Sequence, residues 1–112
     1  MSLEFEKSGD VAVVVLPGET LQASNVNLFK QGLEPILTEN AKLVFDMSHL
    51  RFIDSTGYGL FISTLKRLQK KGGGLKTCCF TAPVENLFTL MGFDKLFGIF
   101  KSREDAIRAF KK

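Results

Sequence analysis

Four consecutive residues, Asp54-Ser55-Thr56-Gly57, set a carboxylate beside two hydroxyls and a glycine. A hydroxyl in such company can act as a nucleophile, accept a phosphoryl group or cap a helix. A serine nucleophile needs a base within hydrogen-bond reach. The only histidine, His49, stands shortly before the segment and reads as a solvated turn residue. A hydrolase elbow would be G-x-S-x-G, but Ile53 stands two positions before Ser55. The segment also departs from the Asp-Thr-Gly of aspartic proteases by one inserted residue, and that chemistry needs two such carboxylates across a cleft. No catalytic constellation emerges, so the protein is not expected to be an enzyme.

The two cysteines, Cys78 and Cys79, are adjacent. Neighbouring Cα atoms lie ~3.8 Å apart, short of the ~4.4–6.8 Å usual for a disulfide. They are expected to be reduced thiols in a strand, which suggests a cytoplasmic setting. With one histidine they cannot complete a closed four-ligand zinc site, and no Cys-x-x-Cys motif is present. No metal and no cofactor is therefore expected.

The elements around these residues follow from the pattern of the chain. Its 112 residues fit one domain, spanning 1–112. The 45% hydrophobic and 24% charged content excludes wholesale disorder. No apolar run approaches the ~20 residues that span a bilayer. The first six residues lack the basic-then-apolar pattern of a secretory signal.

Phe5 opens a short alternating segment that ends at Ser8-Gly9-Asp10, and Val11–Leu16 reads as a buried strand stopped by Pro17-Gly18. The two can pair as a hairpin. Val26, Phe29, Leu33 and Ile36-Leu37 recur at helical spacing, although Gly32 and Pro35 threaten to kink or shorten that helix. Lys42–Met47 is the next strand. Tyr58, Leu60-Phe61, Leu65 and Leu68 form the apolar stripe of the clearest amphipathic helix, closed by Gly72-Gly73-Gly74. Leu75–Phe80 is a strand, Thr81-Ala82-Pro83 starts a helix that runs to Gly92, and Phe97–Phe100 is a short strand or turn. Ser102 caps a last helix. Strands alternating with helices predict an α/β fold, a small mixed and mostly parallel sheet of about 4–5 strands with about 4 helices.

Asp54–Gly57 then lies at a strand-to-helix junction, where Ser55 or Thr56 is placed to cap a helix beginning near Gly57. Capping alone does not account for Gly57-Tyr58-Gly59. Two glycines in a first turn cost up to ~1 kcal/mol each relative to alanine. They do allow another backbone to approach closely.

Phe52 to Leu60 (F-I-D-S-T-G-Y-G-L), the basic helix after it, the three glycines and the following strand resemble the STAS domain of bacterial anti-sigma factor antagonists. Leu43–Ser48 resembles the strand before the motif. Val84–Phe88 and Met91-Gly92-Phe93 resemble the later helix and its end, so the likeness covers nearly the whole chain. The resemblance implies a switch. By position Ser55 is the serine phosphorylated by a partner serine kinase, the anti-sigma factor. The unphosphorylated form binds that kinase and releases a sigma factor, and a metal-dependent serine phosphatase resets the system. Asp54, Thr56, Gly57, Tyr58, Gly59 and Glu19 are the residues that the resemblance places at the partner interface.

Two positions depart from the family pattern. Gly18-Glu19 continues as Thr20-Leu21-Gln22 where Gly-Glu-Leu-Asp is usual, so one acid is missing. Tyr58 replaces a smaller aliphatic residue, either for core packing or for a partner contact. A STAS subunit of a membrane lipid-transport complex, never phosphorylated, is the alternative reading. Residues 1–56 carry a net charge of −4 and residues 57–112 one of +7. That asymmetry allows a nucleic-acid surface, but Lys66, Arg67, Lys70 and Lys71 read more simply as the solvated side of a helix, so neither nucleic-acid binding nor membrane insertion is expected.

Overall fold

The computed structural model describes residues 3–111. The readings of Met1, Ser2 and Lys112 lie outside them. Seven strands and four helices follow one another as β1 (Phe5–Ser8), β2 (Val11–Val15), β3 (Thr20–Leu21), α1 (Val26–Glu39), β4 (Lys42–Asp46), β5 (Phe52–Ile53), α2 (Ser55–Lys70), β6 (Gly74–Cys78), α3 (Ala82–Leu90), β7 (Gly98–Phe100) and α4 (Arg103–Ala109).

The main sheet has the order β1-β2-β4-β6-β7. Only β1 runs antiparallel, as the arm of the expected hairpin turned at Gly9, whose φ of +62° suits glycine. The β2–β4, β4–β6 and β6–β7 pairs are parallel. Central strands buried on both faces explain why Val11–Val15 is apolar without alternation. The expected mixed, mostly parallel sheet is thus the observed one.

Helices α1, α2 and α3 cover one face of the sheet. Phe29 and Leu33 of α1, Phe61, Leu65 and Leu68 of α2, and Val84 and Phe88 of α3 bury against Val14, Leu43, Phe45 and Leu75. The other face belongs to α4, whose Ala106 and Ile107 meet Val11, Val13, Val44 and Cys78. Among the described residues no helix is long and apolar enough to cross a membrane.

Three details differ from the sequence reading. Pro35 neither ends nor shortens α1, which continues to Glu39. Its last carbonyls are held from outside: Lys71 Nζ donates to the Leu37 and Thr38 oxygens, and Asn40 Nδ2 to that of Ile36 at 2.9 Å. β3 and β5 form a separate parallel pair, Thr20 opposite Phe52 and Leu21 opposite Ile53. Two-residue strands carry no readable periodicity. Finally, β6 ends at Cys78, so Cys79 does not lie in the strand.

The triple glycine closes α2 as expected. Gly72 takes φ +81°, and the Gly73 amide reaches back to the Leu68 carbonyl at 2.9 Å. At Gly73 any side chain is excluded, because a Cβ would sit 1.6 Å from the Ala41 oxygen.

Candidate functional site

Asp54 follows β5 directly and caps α2. Its backbone is extended, and its Oδ1 accepts from the Gly57 amide at 3.1 Å. This corrects the expectation that Ser55 or Thr56 caps a helix starting at Gly57. Aspartate is as good a cap as serine, and its use here moves the helix start back to Ser55. The carboxylate does more than cap. Oδ1 also accepts from Thr56 Oγ1 at 2.6 Å, and Oδ2 from the Ala23 amide at 3.0 Å. Asp54 therefore ties the first turn of α2 to the chain just after β3.

The Thr56 hydroxyl, with help from the Gly57 and Ala23 amides, holds the Asp54 carboxyl below the usual carboxylate range. It is ionised at neutral pH. Thr56 is exposed, but its hydroxyl is committed to Asp54. Ser55 is exposed too, and among the described residues its hydroxyl has no hydrogen-bond partner. The two hydroxyls, equivalent in the sequence, are therefore not equivalent in the fold. One belongs to the cap and the other faces solvent at the positive end of a 16-residue helix.

The two glycines also separate. A Cβ on Gly57 would lie 2.7 Å from Ile53 Cγ1 and 2.8 Å from the Leu21 oxygen. Gly57 is needed because the β3–β5 pair passes against the helix. A Cβ on Gly59 would meet nothing within 4 Å, and the residue is exposed. No internal contact calls for glycine there, so the helix bears its cost on an open face. Gly57→Ala is expected to lower the melting temperature, since the neighbouring backbone must shift. Gly59→Ala is expected to raise stability by about 0.5–1 kcal/mol while weakening partner binding. Thermal unfolding and a binding titration on the two variants check this. A Gly59→Ala protein that is more stable and binds unchanged would show that nothing approaches that face.

Tyr58 is a packing residue. It is 6% exposed, with its ring 5.4 Å from Phe88 and 5.0 Å from Phe93 between centroids. Its hydroxyl is buried without a partner among the described residues, and burial pushes the phenol above its ordinary value. The ring is thus not available as a direct partner contact. Glu19 is exposed and sits beside the site through its backbone: its carbonyl accepts from the Arg51 and Phe52 amides at 2.8 and 3.1 Å. His49 is exposed, as expected of a turn residue.

The sequence reading missed Leu21 and Ala23, whose main-chain groups receive and donate the hydrogen bonds that anchor Asp54. Main-chain roles leave no side-chain signal. Phe52, which opens the motif in the sequence, is 46% exposed two positions before Asp54. Its exposure left no signal in the sequence, because a two-residue strand carries no alternation.

Residues 2–106 match the family described as the STAS domain. The chain is 27% identical to the anti-sigma F factor antagonist of Paenibacillus polymyxa, over 96% of this chain and 92% of that protein. It is also 27% identical to the anti-sigma-B factor antagonist of Bacillus subtilis, over 96% and 98% respectively. The fold superposes on SpoIIAA in its unphosphorylated form with a TM-score of 0.79, at 18% identity, covering 98% of this chain and 96% of that one. For the phosphorylated form of the Bacillus cell fate determinant SpoIIAA the score is 0.70, at 17% identity, covering 96% and 98%.

Proposed function

The chain belongs to the STAS domain family, and from that premise we propose that it is an anti-sigma factor antagonist switched by phosphorylation of Ser55. It binds an anti-sigma factor serine kinase through the face built by Ser55, Gly59, Phe52 and Glu19. Phosphorylation releases it, and a metal-dependent serine phosphatase restores binding. The protein works in the cytoplasm by association, without catalysing a reaction of its own.

The single observation that carries this reading is the free, exposed Ser55 hydroxyl at the first position of α2, next to a threonine hydroxyl that Asp54 has already engaged. Relatives named as antagonists of anti-sigma factors support the class of partner.

The chemistry suits a switch that leaves the fold intact. A phosphoryl group brings about −1.5 to −2 charges at pH 7. The N-terminus of α2 accommodates them within the domain. The ionised Asp54 alongside, and any partner surface shaped for a neutral hydroxyl, oppose them. Each ~1.4 kcal/mol of that opposition weakens association tenfold.

The test is to isolate the protein from its native cells and map phosphate by peptide mass spectrometry, with Ser55→Ala as control. Phosphate on Ser55 that disappears in the variant is the expected result. If no growth condition yields phosphate and Ser55→Asp still binds its partner, the switch is wrong, and the constitutive subunit of a lipid-transport complex takes its place.

A further inference from the structure

Away from Ser55, Asp46, Cys78 and Cys79 meet at the C-terminal ends of β4 and β6. Asp46 and Cys78 are register partners on neighbouring strands. Both face α4: Cys78 lies in the cluster under that helix, and Asp46 Oδ2 accepts from Arg103 Nε at 2.7 Å. Strand alternation would send the next side chain, Cys79, to the opposite face of the sheet. It does not go there. Cys79 adopts φ +63°, the left-handed region that non-glycine residues rarely enter and at some cost.

That backbone turn brings Cys79 Sγ to 3.4 Å from Cys78 Sγ. The two sulfurs and a carboxylate oxygen of Asp46 all lie within 4.8 Å of one another. Among the described residues this is the one cluster of three metal-ligating side chains.

We propose that Asp46, Cys78 and Cys79 form a three-ligand site for a thiophilic divalent cation of the zinc type, with the fourth position open. Thiolates favour zinc and its softer relatives over magnesium and calcium. With Zn–S bonds of ~2.3 Å, a tetrahedral metal sets two sulfurs about 3.8 Å apart. The present spacing reaches this by a few tenths of an ångström of side-chain rotation. Two thiolates, the Asp46 carboxylate, the Arg103 guanidinium and a divalent cation sum to zero, and the exposed Glu6 carboxylate, 3.7 Å from Arg103, adds one negative charge at the rim.

Asp46 Oδ1 accepts from the Ser48 amide at 2.9 Å, and Oδ2 from Arg103. Each oxygen keeps a second lone pair for a metal. Arg103 then plays the outer-shell role of orienting the carboxylate. Each thiol gives up its proton to solvent as the metal–sulfur bond forms, and no oxidation is involved. Cys78 is buried and Cys79 half-buried, so the cation enters from the Cys79 side. The lack of a fourth protein ligand makes the site open, in contrast to the closed sites that hold a fold together.

The experiment uses the full chain, kept reduced with a phosphine. Cd2+ is titrated while the ultraviolet sulfur-to-cadmium charge-transfer band is followed, and Zn2+ is titrated by calorimetry. One equivalent of each metal is expected, with the band saturating at equimolar cadmium. Cys79→Gly suits the left-handed backbone and so preserves the fold, which circular dichroism checks. It should bind at least tenfold more weakly and lose half or more of the band. Asp46→Asn should bind more weakly with the band retained, and Ser55→Ala should match the wild type. No band at a tenfold excess of cadmium, or unchanged Zn2+ affinity in folded Cys79→Gly, would overturn the site.

Discussion

Under the switch proposed above, Ser55→Asp is expected to weaken binding to an anti-sigma factor kinase about a hundredfold, equivalent to about 2.8 kcal/mol, while leaving the melting temperature unchanged or slightly raised. The two effects have opposite signs because they arise on different sides of the same atom position. Inside the domain, a carboxylate at the first residue of α2 meets the positive end of the helix, a favourable placement. Outside, the partner must take up a second carboxylate beside the ionised Asp54, and burying an unpaired charge at an interface is costly. Ser55→Ala separates the hydroxyl from the charge. It should bind within a few-fold of the wild type and accept no phosphate. A calorimetric titration of the three proteins against the kinase decides the matter. Equal affinity of Ser55→Asp and wild type would remove Ser55 from the interface.

Phe88→Ala has the largest expected effect on stability. Phe88 is fully buried and stands at the centre of the aromatic cluster under α2 and α3. Its ring lies 4.9 Å from that of Phe80, 5.4 Å from Tyr58, 5.6 Å from Phe61 and 5.8 Å from Phe93. Truncation removes the transfer energy of the ring and leaves a cavity lined by other rings, which collapse poorly. The cost is about 3–5 kcal/mol. Against a total stability of about 5–15 kcal/mol, that is a large fraction. At roughly 4 °C or more per kcal/mol, the melting temperature should fall by more than about 12 °C. The loss also reaches the site, since Tyr58, in the first turn of α2, rests on Phe88. Phe88→Leu should recover much of the stability. A drop below about 1 kcal/mol for the alanine variant in urea unfolding would mean that the cluster does not carry the core.

The sheet and its helices were legible because their signals are physical and local. Val11–Val15 is apolar throughout because both faces of β2 are covered, and the stripe from Tyr58 to Leu68 shows which side of α2 is buried. The site was legible in part. Asp54, Ser55 and Gly57 stood out by type and spacing, but the division of labour among them did not. A sequence cannot show that Asp54 takes the cap, that Thr56 follows it, and that Ser55 is left over. Those outcomes depend on where Leu21 and Ala23 pass, and that is set by the β3–β5 pair, too short to carry a pattern. Gly57 and Gly59 looked alike for the same reason, since only the neighbouring chain distinguishes them. Pro35 reads as a break, yet α1 runs on to Glu39, and the carbonyls at its end are held by Lys71, distant in sequence.

The order of the main sheet bears on how the chain assembles. The β1–β2 hairpin joins segments separated only by Gly9 and Asp10, so it closes almost no loop and belongs to the microsecond class of events. Every other pairing in that sheet must first bring together distant stretches, Val11 with Lys42 and Lys42 with Gly74 among them. The entropy of those closures is spent before any parallel ladder returns it. The hairpin is therefore expected to form early and to gain little stability by itself, and β4, which lies between β2 and β6, is the strand that joins it to the rest of the sheet.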